Sequence, residues 1–308
     1  MAEITATLVK DLRTQTGAGM MDCKKALTET DGDLKAAVDW LRQKGLSQAA
    51  KKAGREAAEG LVGVAVSGGV GAVVEVNSET DFVARNEDFQ GFVRAVADLA
   101  VEAKGDMDAL NAAAYPGSGR NVADQLTHMV ATIGENMRVR RSAAVSAQPG
   151  IVAQYVHSAV APGLGRIGVV VGLKSSGDTA KLEEAGRQLA MHIAAANPRA
   201  VTSAEIDPEV VAHERKILTA KAEESGRPPE IIQKMVEGGL RKFYEEAALM
   251  DQVWVIDGKT RVNKVLEQLA KEVGAPVEVA GFVRFALGEG IERKEADFAA
   301  EVAAAAGS

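Results

Sequence analysis

The sequence predicts an α+β protein: an N-terminal three-helix bundle, a duplicated core of small antiparallel three-stranded sheets packed with helices, an inserted antiparallel helical hairpin and a C-terminal helix. Three observations carry that expectation. Segments with helical and with strand periodicity fall in blocks along the chain. A strand–strand–helix–helix–strand order occurs twice, opened by Gly60-Leu-Val and Gly150-Ile-Val, with GVGAVVEV echoed by GLGRIGVVV. Finally, 308 residues of which 46% are apolar suffice for more than one core. With only seven Phe, three Tyr and two Trp, those cores must be built from Ala, Val, Leu and Ile.

In the N-terminal module, residues 1–59, Ile4, Leu8 and Leu12 recur at helical spacing until Thr16-Gly17-Ala18-Gly19 breaks the pattern. A second helix, capped by Asp22 and carrying Cys23, Ala26 and Leu27, ends at Thr30-Asp31-Gly32-Asp33. A third runs from Leu34 to a C-cap at Gly45, and residues 46–59 read as a helical connector. The first core unit, 60–149, has strands over 61–67 and 70–77 joined at Gly68-Gly69. A helix through Phe89, Phe92, Val93, Val96 and Leu99 follows, then one over 121–137 and a strand over 139–147. The second unit, 150–288, repeats this with strands at 150–160 and 166–174, helices at 182–196 and 260–273, and a strand at 277–287. Its insertion, 205–250, reads as helices 210–224 and 230–248 around Ser225-Gly-Arg-Pro-Pro229, hence an α-hairpin. Gly238-Gly239 within its second helix costs about 2 kcal/mol of helix propensity and marks a close approach or a weak point. The tail, 289–308, carries a helix over 296–305.

Composition narrows the function classes. A net charge of −7 disfavours a non-specific nucleic-acid binder, which must neutralise phosphates. One cysteine excludes an internal disulfide and fits a reducing cytosol. No apolar run reaches membrane-spanning length, and the amphipathic, acid-bearing start does not read as a targeting peptide. A cytoplasmic protein without membrane contact is expected.

Motifs for chemistry fail on context. Gly163-Leu-Gly165-Arg-Ile-Gly168 matches G-x-G-x-x-G, yet a strand follows where a dinucleotide site needs a helix N-terminus; a hairpin turn is the better reading. Gly258-Lys259-Thr260 lacks the earlier glycine of a phosphate loop, since Val253 stands there. His128, His157, His192 and His213 have no metal-ligand spacing. Cys23 reads as a buried small residue, with two following lysines that would lower its pKa.

Two segments ask for more than a structural role. Met20 and Met21 are adjacent, so both cannot point into one core, and an exposed thioether suits an adaptable contact. Glu79-Thr80-Asp81-Phe82-Val83 lies at a strand-to-helix junction, where displayed residues often act. Phe82 precedes Phe89 by seven residues, so helical periodicity favours a core position for it over a displayed one.

The chain resembles the bacterial elongation factor Ts family along its whole length. The resemblance rests on LVKDLRTQTGAGMMDCKKALTETDGD, TDFVARNEDF, MHIAAANP, KMVEG, GFVRFALGEGIE and DFAAEVA. It departs at the Gly pair of VEGGLRKF, where the family more often has a basic residue, and in the longer SAVAPGLGRIG hairpin. The resemblance implies a UBA-like N-terminal module and a guanine nucleotide exchange factor of translation elongation, without covalent chemistry. The partner implied is elongation factor Tu, with Mg²⁺ and GDP or GTP belonging to it and no cofactor in this chain. Arg13, Met20 and Met21 would dock the N-terminal module; Asp81 and Phe82, flanked by Thr80 and Val83, would intrude beside the partner's Mg²⁺ site. His157, Asp297 and Phe298 would be supporting contacts, and the helical hairpin offers a route to a homodimer. A scaffold that binds ubiquitin-like folds through its N-terminal bundle is the alternative.

Overall fold

The computed structural model describes residues 4–292. The N-terminal bundle consists of α1 (Ala6–Thr16), α2 (Met20–Glu29) and α3 (Leu34–Lys52) around Leu12, Cys23, Ala26, Leu27 and Ala37. Two details of its sequence reading change. Gly19, not Asp22, is the N-cap of α2; Asp22 sits in its first turn and pairs with Lys44. Gly45 does not end α3. It is buried in mid-helix, where a Cβ would lie 3.3 Å from Ala131 Cβ, and the helix runs on to Lys52. The missing side chain serves docking rather than capping, and residues 53–58 are irregular instead of helical.

β1 (Glu59–Ser67) and β2 (Val70–Ser78) form the expected hairpin. α4 (Glu87–Glu102), a short α5 (Met107–Ala112) that periodicity did not reveal, α6 (Val122–Ile133) and β3 (Met137–Ser146) complete the first unit. The second has β4 (Gly150–His157), a two-residue β5 (Leu164–Gly165), β6 (Ile167–Lys174), α7 (Thr179–Ala196), α10 (Val262–Val273) and β7 (Glu278–Ala286). Between α7 and α10 stand α8 (Pro208–Glu223) and α9 (Pro229–Ala247), the predicted antiparallel hairpin, each with proline at its start. The symmetry of the two units extends to irregular detail: each middle strand carries a bulge, at Glu75/Val76 and at Gly172/Leu173. Each unit also has a small bridge before its second helix, Ala114–Asn121 and Val253–Arg261.

The sheets run β3-β2-β1-β5 and β4-β6-β7. The first gains a fourth strand because Leu164 and Gly165, in the loop between β4 and β6, cross over and pair with Val62 and Gly63. The sheets pack on each other through Val62, Val64, Val73, Val152 and Val170. Their outer faces carry helices: Leu61, Ala72, Val74 and Val76 meet α4, while Val169, Val171 and Leu173 join the core containing α7 and α10. Side chains of β1, β2 and β6 therefore alternate between two apolar destinations, so these strands are buried almost throughout and read as unbroken Val-rich runs. The scarcity of aromatics follows. Two sheets approach closely enough that a Cβ on Gly71 would meet Val152 at 2.6 Å, and one on Gly168 would meet Val62 at 2.6 Å. The predicted helix over 296–305, with Asp297 and Phe298, lies outside the described residues.

Candidate functional site

The segment after β2 does not join α4 as one helix. Val83–Arg85 form a single 3₁₀ turn, and Asn86 turns extended to cap α4, its Oδ1 accepting from Phe89 N–H at 3.0 Å. The break takes Phe82 off the α4 face. Phe82 is 74% exposed, which overturns the core position that periodicity favoured, while Phe89 is fully buried. Asp81 beside it is exposed as well. Val83 is turned inward into the first core, where its side chain anchors the loop.

The loop is held by side chains from a distant turn. α6 stops at Gly134, whose φ of +92° is readily adopted only without a Cβ. The predicted helix over 121–137 is shortened there, and the chain turns back so that Glu135 faces Thr80. Glu135 accepts from Thr80 N–H at 2.9 Å with one oxygen and from Thr80 Oγ1–H at 2.6 Å with the other. Reciprocally, Glu79 accepts from Asn136 N–H at 2.5 Å. Arg55 pairs with Glu79 at 3.5 Å, and the Asn136 side-chain amide donates to Arg55 C=O at 2.7 Å. Sequence reading missed Glu79, Glu135 and Asn136 as loop-holding groups; a glycine cap followed by an acid was the available signal.

The other expected contact residues lie elsewhere. Met20 and Met21 are 49% and 75% exposed at the start of α2, and Arg13 is exposed on α1. His157 is exposed at the end of β4, with Tyr155 Oη 3.4 Å from its Nδ1. The N-terminal bundle is tied to the loop's support, since α3 docks on α6 through Arg42–Asp124 at 3.2 Å and through Gly45. The Cys23 thiol is buried and pushed up by desolvation, only partly offset by Thr16; the lowering expected from the following lysines does not arise. The G-x-G-x-x-G run forms the β4–β6 connection with no helix behind it, as the hairpin reading required. Among the described residues no group of three or more His, Cys, Asp or Glu is placed to hold a metal ion, and no helix is long and apolar enough to cross a membrane.

Fold and site together define a duplicated α+β protein that displays apolar side chains at fixed points of a rigid frame. The chain belongs to the elongation factor Ts family. The family model described as Elongation factor TS matches residues 79–289. The chain is 65% identical over 305 residues to the Elongation factor Ts of Rhodospirillum rubrum, covering 99% of each chain. It is 62% identical over 306 residues to that of Parvibaculum lavamentivorans and 55% identical over 306 residues to that of Agrobacterium fabrum, again covering 99% of each.

Proposed function

We propose that this protein is the guanine nucleotide exchange factor of elongation factor Tu, acting in the cytoplasm by binding and without covalent chemistry. The observation that carries the reading is Phe82, a large apolar side chain left 74% exposed on a loop whose backbone is hydrogen-bonded to Glu135. Leaving a phenylalanine in water forgoes roughly 1.5–3 kcal/mol of burial, which a partner's surface can recover.

The physical route is as follows. GDP in a phosphate-loop protein is held through its phosphates and Mg²⁺, an ion that tolerates little departure from octahedral geometry. Phe82, led by Asp81, wedges between elements beside that site and displaces the groups that order the ion, leaving phosphate charge uncompensated. A stiff ring on a fixed loop transmits displacement better than a flexible chain would. Arg13, Met20 and Met21 dock the N-terminal bundle on the partner, and His157 contacts it from the second unit, so remote binding offsets the local disruption. Coupling is reciprocal: nucleotide weakens the factor by the ratio in which the factor weakens nucleotide. Exchange is accelerated without preference between GDP and GTP, and the nucleotide and Mg²⁺ are the partner's.

Release of a fluorescent GDP analogue from elongation factor Tu, followed by stopped flow with and without this protein, tests the reading. Acceleration that saturates with factor concentration is expected. An unchanged release rate with excess factor would sink it.

A further inference from the structure

We propose that Glu135 is the positioning residue that makes the Asp81–Phe82 tip a fixed wedge; the proposal rests on the exchange reading and deepens it. Glu135 lies 55 residues away from Thr80 in sequence, yet both its oxygens are committed to Thr80, one to the backbone N–H and one to the hydroxyl. A carboxylate that accepts two hydrogen bonds from one residue fixes both the position and the orientation of that residue. Thr80 is two positions before Phe82. Ser78 Oγ–H donates to Thr80 C=O at 2.9 Å, so every polar group of Thr80 is engaged. Beyond the tip, Arg85 N–H donates to Phe82 C=O at 3.1 Å and Asn86 N–H to Val83 C=O at 2.9 Å. The tip is thus held from both sides while its own side chain touches solvent.

The duplication supplies an internal comparison. In the second unit α10 ends at Gly274 with φ +75°, as α6 ends at Gly134. The next two residues there are Ala275 and Pro276 in place of Glu135 and Asn136. The alanine side chain has no acceptor and proline has no N–H, so neither half of the clamp can form. The corresponding strand-to-helix junction, after β6, is Ser175-Ser176-Gly177-Asp178, with no aromatic to display. It closes by direct backbone contact, Asp178 N–H donating to Val273 C=O at 3.3 Å, with Gly177 so close that a Cβ would lie 2.7 Å from that oxygen. Lys181 Nζ adds one bond to Glu272 C=O at 2.9 Å, but no carboxylate there grips the strand-to-helix loop; the carboxylate clamps accompany the exposed phenylalanine.

The test is a mutant cycle in the full-length protein. Glu135→Ala should lower the maximal rate of GDP release at saturating factor by about tenfold, with the half-saturating concentration changed by less than about threefold, because the wedge is misplaced while the docking surfaces remain. Glu135→Gln, which keeps one acceptor for Thr80 N–H, should retain most of the rate. Combining Glu135→Ala with Phe82→Ala should be no slower than Phe82→Ala alone, since a positioning residue has nothing left to position. Hydrogen exchange of the free protein gives a readout independent of the partner: residues 78–86 should exchange faster in Glu135→Ala, with α7 and α10 unchanged. A wild-type rate in Glu135→Ala, multiplying effects in the double variant, or unaltered protection of 78–86 would each overturn the proposal. Should the wild-type protein itself fail to accelerate release, the exchange reading falls, and the hydrogen-exchange comparison still decides whether Glu135 holds the tip.

Discussion

Arg141 Nε donates to Glu75 Oε2 at 2.6 Å, and that carboxylate is wholly buried. Arg140 Nη1 lies 3.0 Å from both carboxylate oxygens, and Gly288 N–H donates to Oε1 at 2.8 Å. Arg141 also donates to Ala286 C=O and Arg140 to Glu289 C=O, so β2, β3 and the segment leaving β7 converge on one acid. Burial alone would raise the Glu75 pKa, but the Gly288 N–H, the Asn77 amide and Arg141 outweigh it and hold it below the ordinary value. A lowered carboxyl contributes stability that is present above the ordinary glutamate range and lost as pH falls through the lowered value. Glu75→Gln should cost about 3 kcal/mol at neutral pH, because Arg140 loses its counter-charge and Arg141 keeps only Glu289, 3.3 Å away. Urea midpoints measured from pH 7 down to about pH 3 should show the gap between wild type and variant narrowing in acid. A gap that is constant with pH would show that the charge of Glu75 is not what stabilises the junction.

Phe82→Ala separates display from core packing. Because the ring is exposed, its removal should shift stability by less than about 0.5 kcal/mol. GDP release from elongation factor Tu should nevertheless slow by about tenfold or more, the scale of a contact that carries interface energy. Melting temperature and release rate measured on the same preparation check both halves. A fall of many degrees in melting temperature would restore the core position.

His192 is wholly buried and stacks on Trp254 with ring centroids 5.1 Å apart. Its Nδ1 accepts from Val255 N–H at 3.3 Å, and its Nε2 lies 2.9 Å from Gln252 Oε1. The Gln252 amide nitrogen donates to Glu246 C=O at 2.6 Å, which orients its oxygen toward His192 and assigns the imidazole proton to Nε2. A second proton on Nδ1 would confront the Val255 N–H. Burial lowers the pKa, opposed only by the Gln252 bond. Stability from the neutral ring is therefore present above the ordinary histidine range and lost as pH falls from there toward the lowered value. His192→Gln should lose less stability than wild type between about pH 7 and pH 5. Because His128 is lowered by burial and by Arg120, part of the acid sensitivity stays in the variant. Identical losses in both proteins would contradict the assignment.

Gly168 closes the G-x-G-x-x-G run, and its position explains why a glycine is there. A Cβ would lie 2.6 Å from Val62 Cγ1 and 2.8 Å from Val64 Cγ1, both buried on the facing sheet. Branched side chains are stiff at χ1 and yield little to such an approach. Gly168→Ala should destabilise the protein by about 1–3 kcal/mol, read as a lower urea midpoint with an unchanged slope. An unaltered midpoint would mean that the sheets part at no cost.

Much of the fold was legible because its signals are local. The Gly68-Gly69 turn, the two prolines that begin the hairpin helices and the repeated glycine openings each act within a few residues. What escaped depends on neighbours distant in sequence. The pairing of Leu164-Gly165 with β1 exists only after both sheets have docked. Gly45 looks like a cap until Ala131 is placed against it. Phe82 and Phe89 share a helical spacing, and only the extended backbone of Asn86 shows that they do not share a helix. Of the site, the exposed methionines were legible as an impossibility of burying two neighbours, whereas the Glu135 clamp reaches across 55 residues and has no periodic signature.

The two glycines of the projecting hairpin lie on opposite sides of the same question, since each was open to reading as a packing contact or as a weak point of the helix. A Cβ at Gly238 would meet nothing within 4 Å, whereas one at Gly239 would lie 2.8 Å from Leu218 Cδ2 and 2.9 Å from Cδ1 on the opposing helix. Gly238→Ala thus gains helix propensity without steric cost and should stabilise the hairpin by about 1 kcal/mol. Gly239→Ala gains the same propensity but must displace Leu218, which packs with Val236 and Leu240 in the small core between the two helices. Moving that side chain toward solvent forfeits about 1–2 kcal/mol of burial, enough to cancel or reverse the gain. Hydrogen exchange of α8 and α9 should therefore slow in Gly238→Ala and stay level or quicken in Gly239→Ala. Equal slowing in both would show that the helices separate freely at Leu218, and that only helix propensity, not contact between the helices, sets the stability of the hairpin.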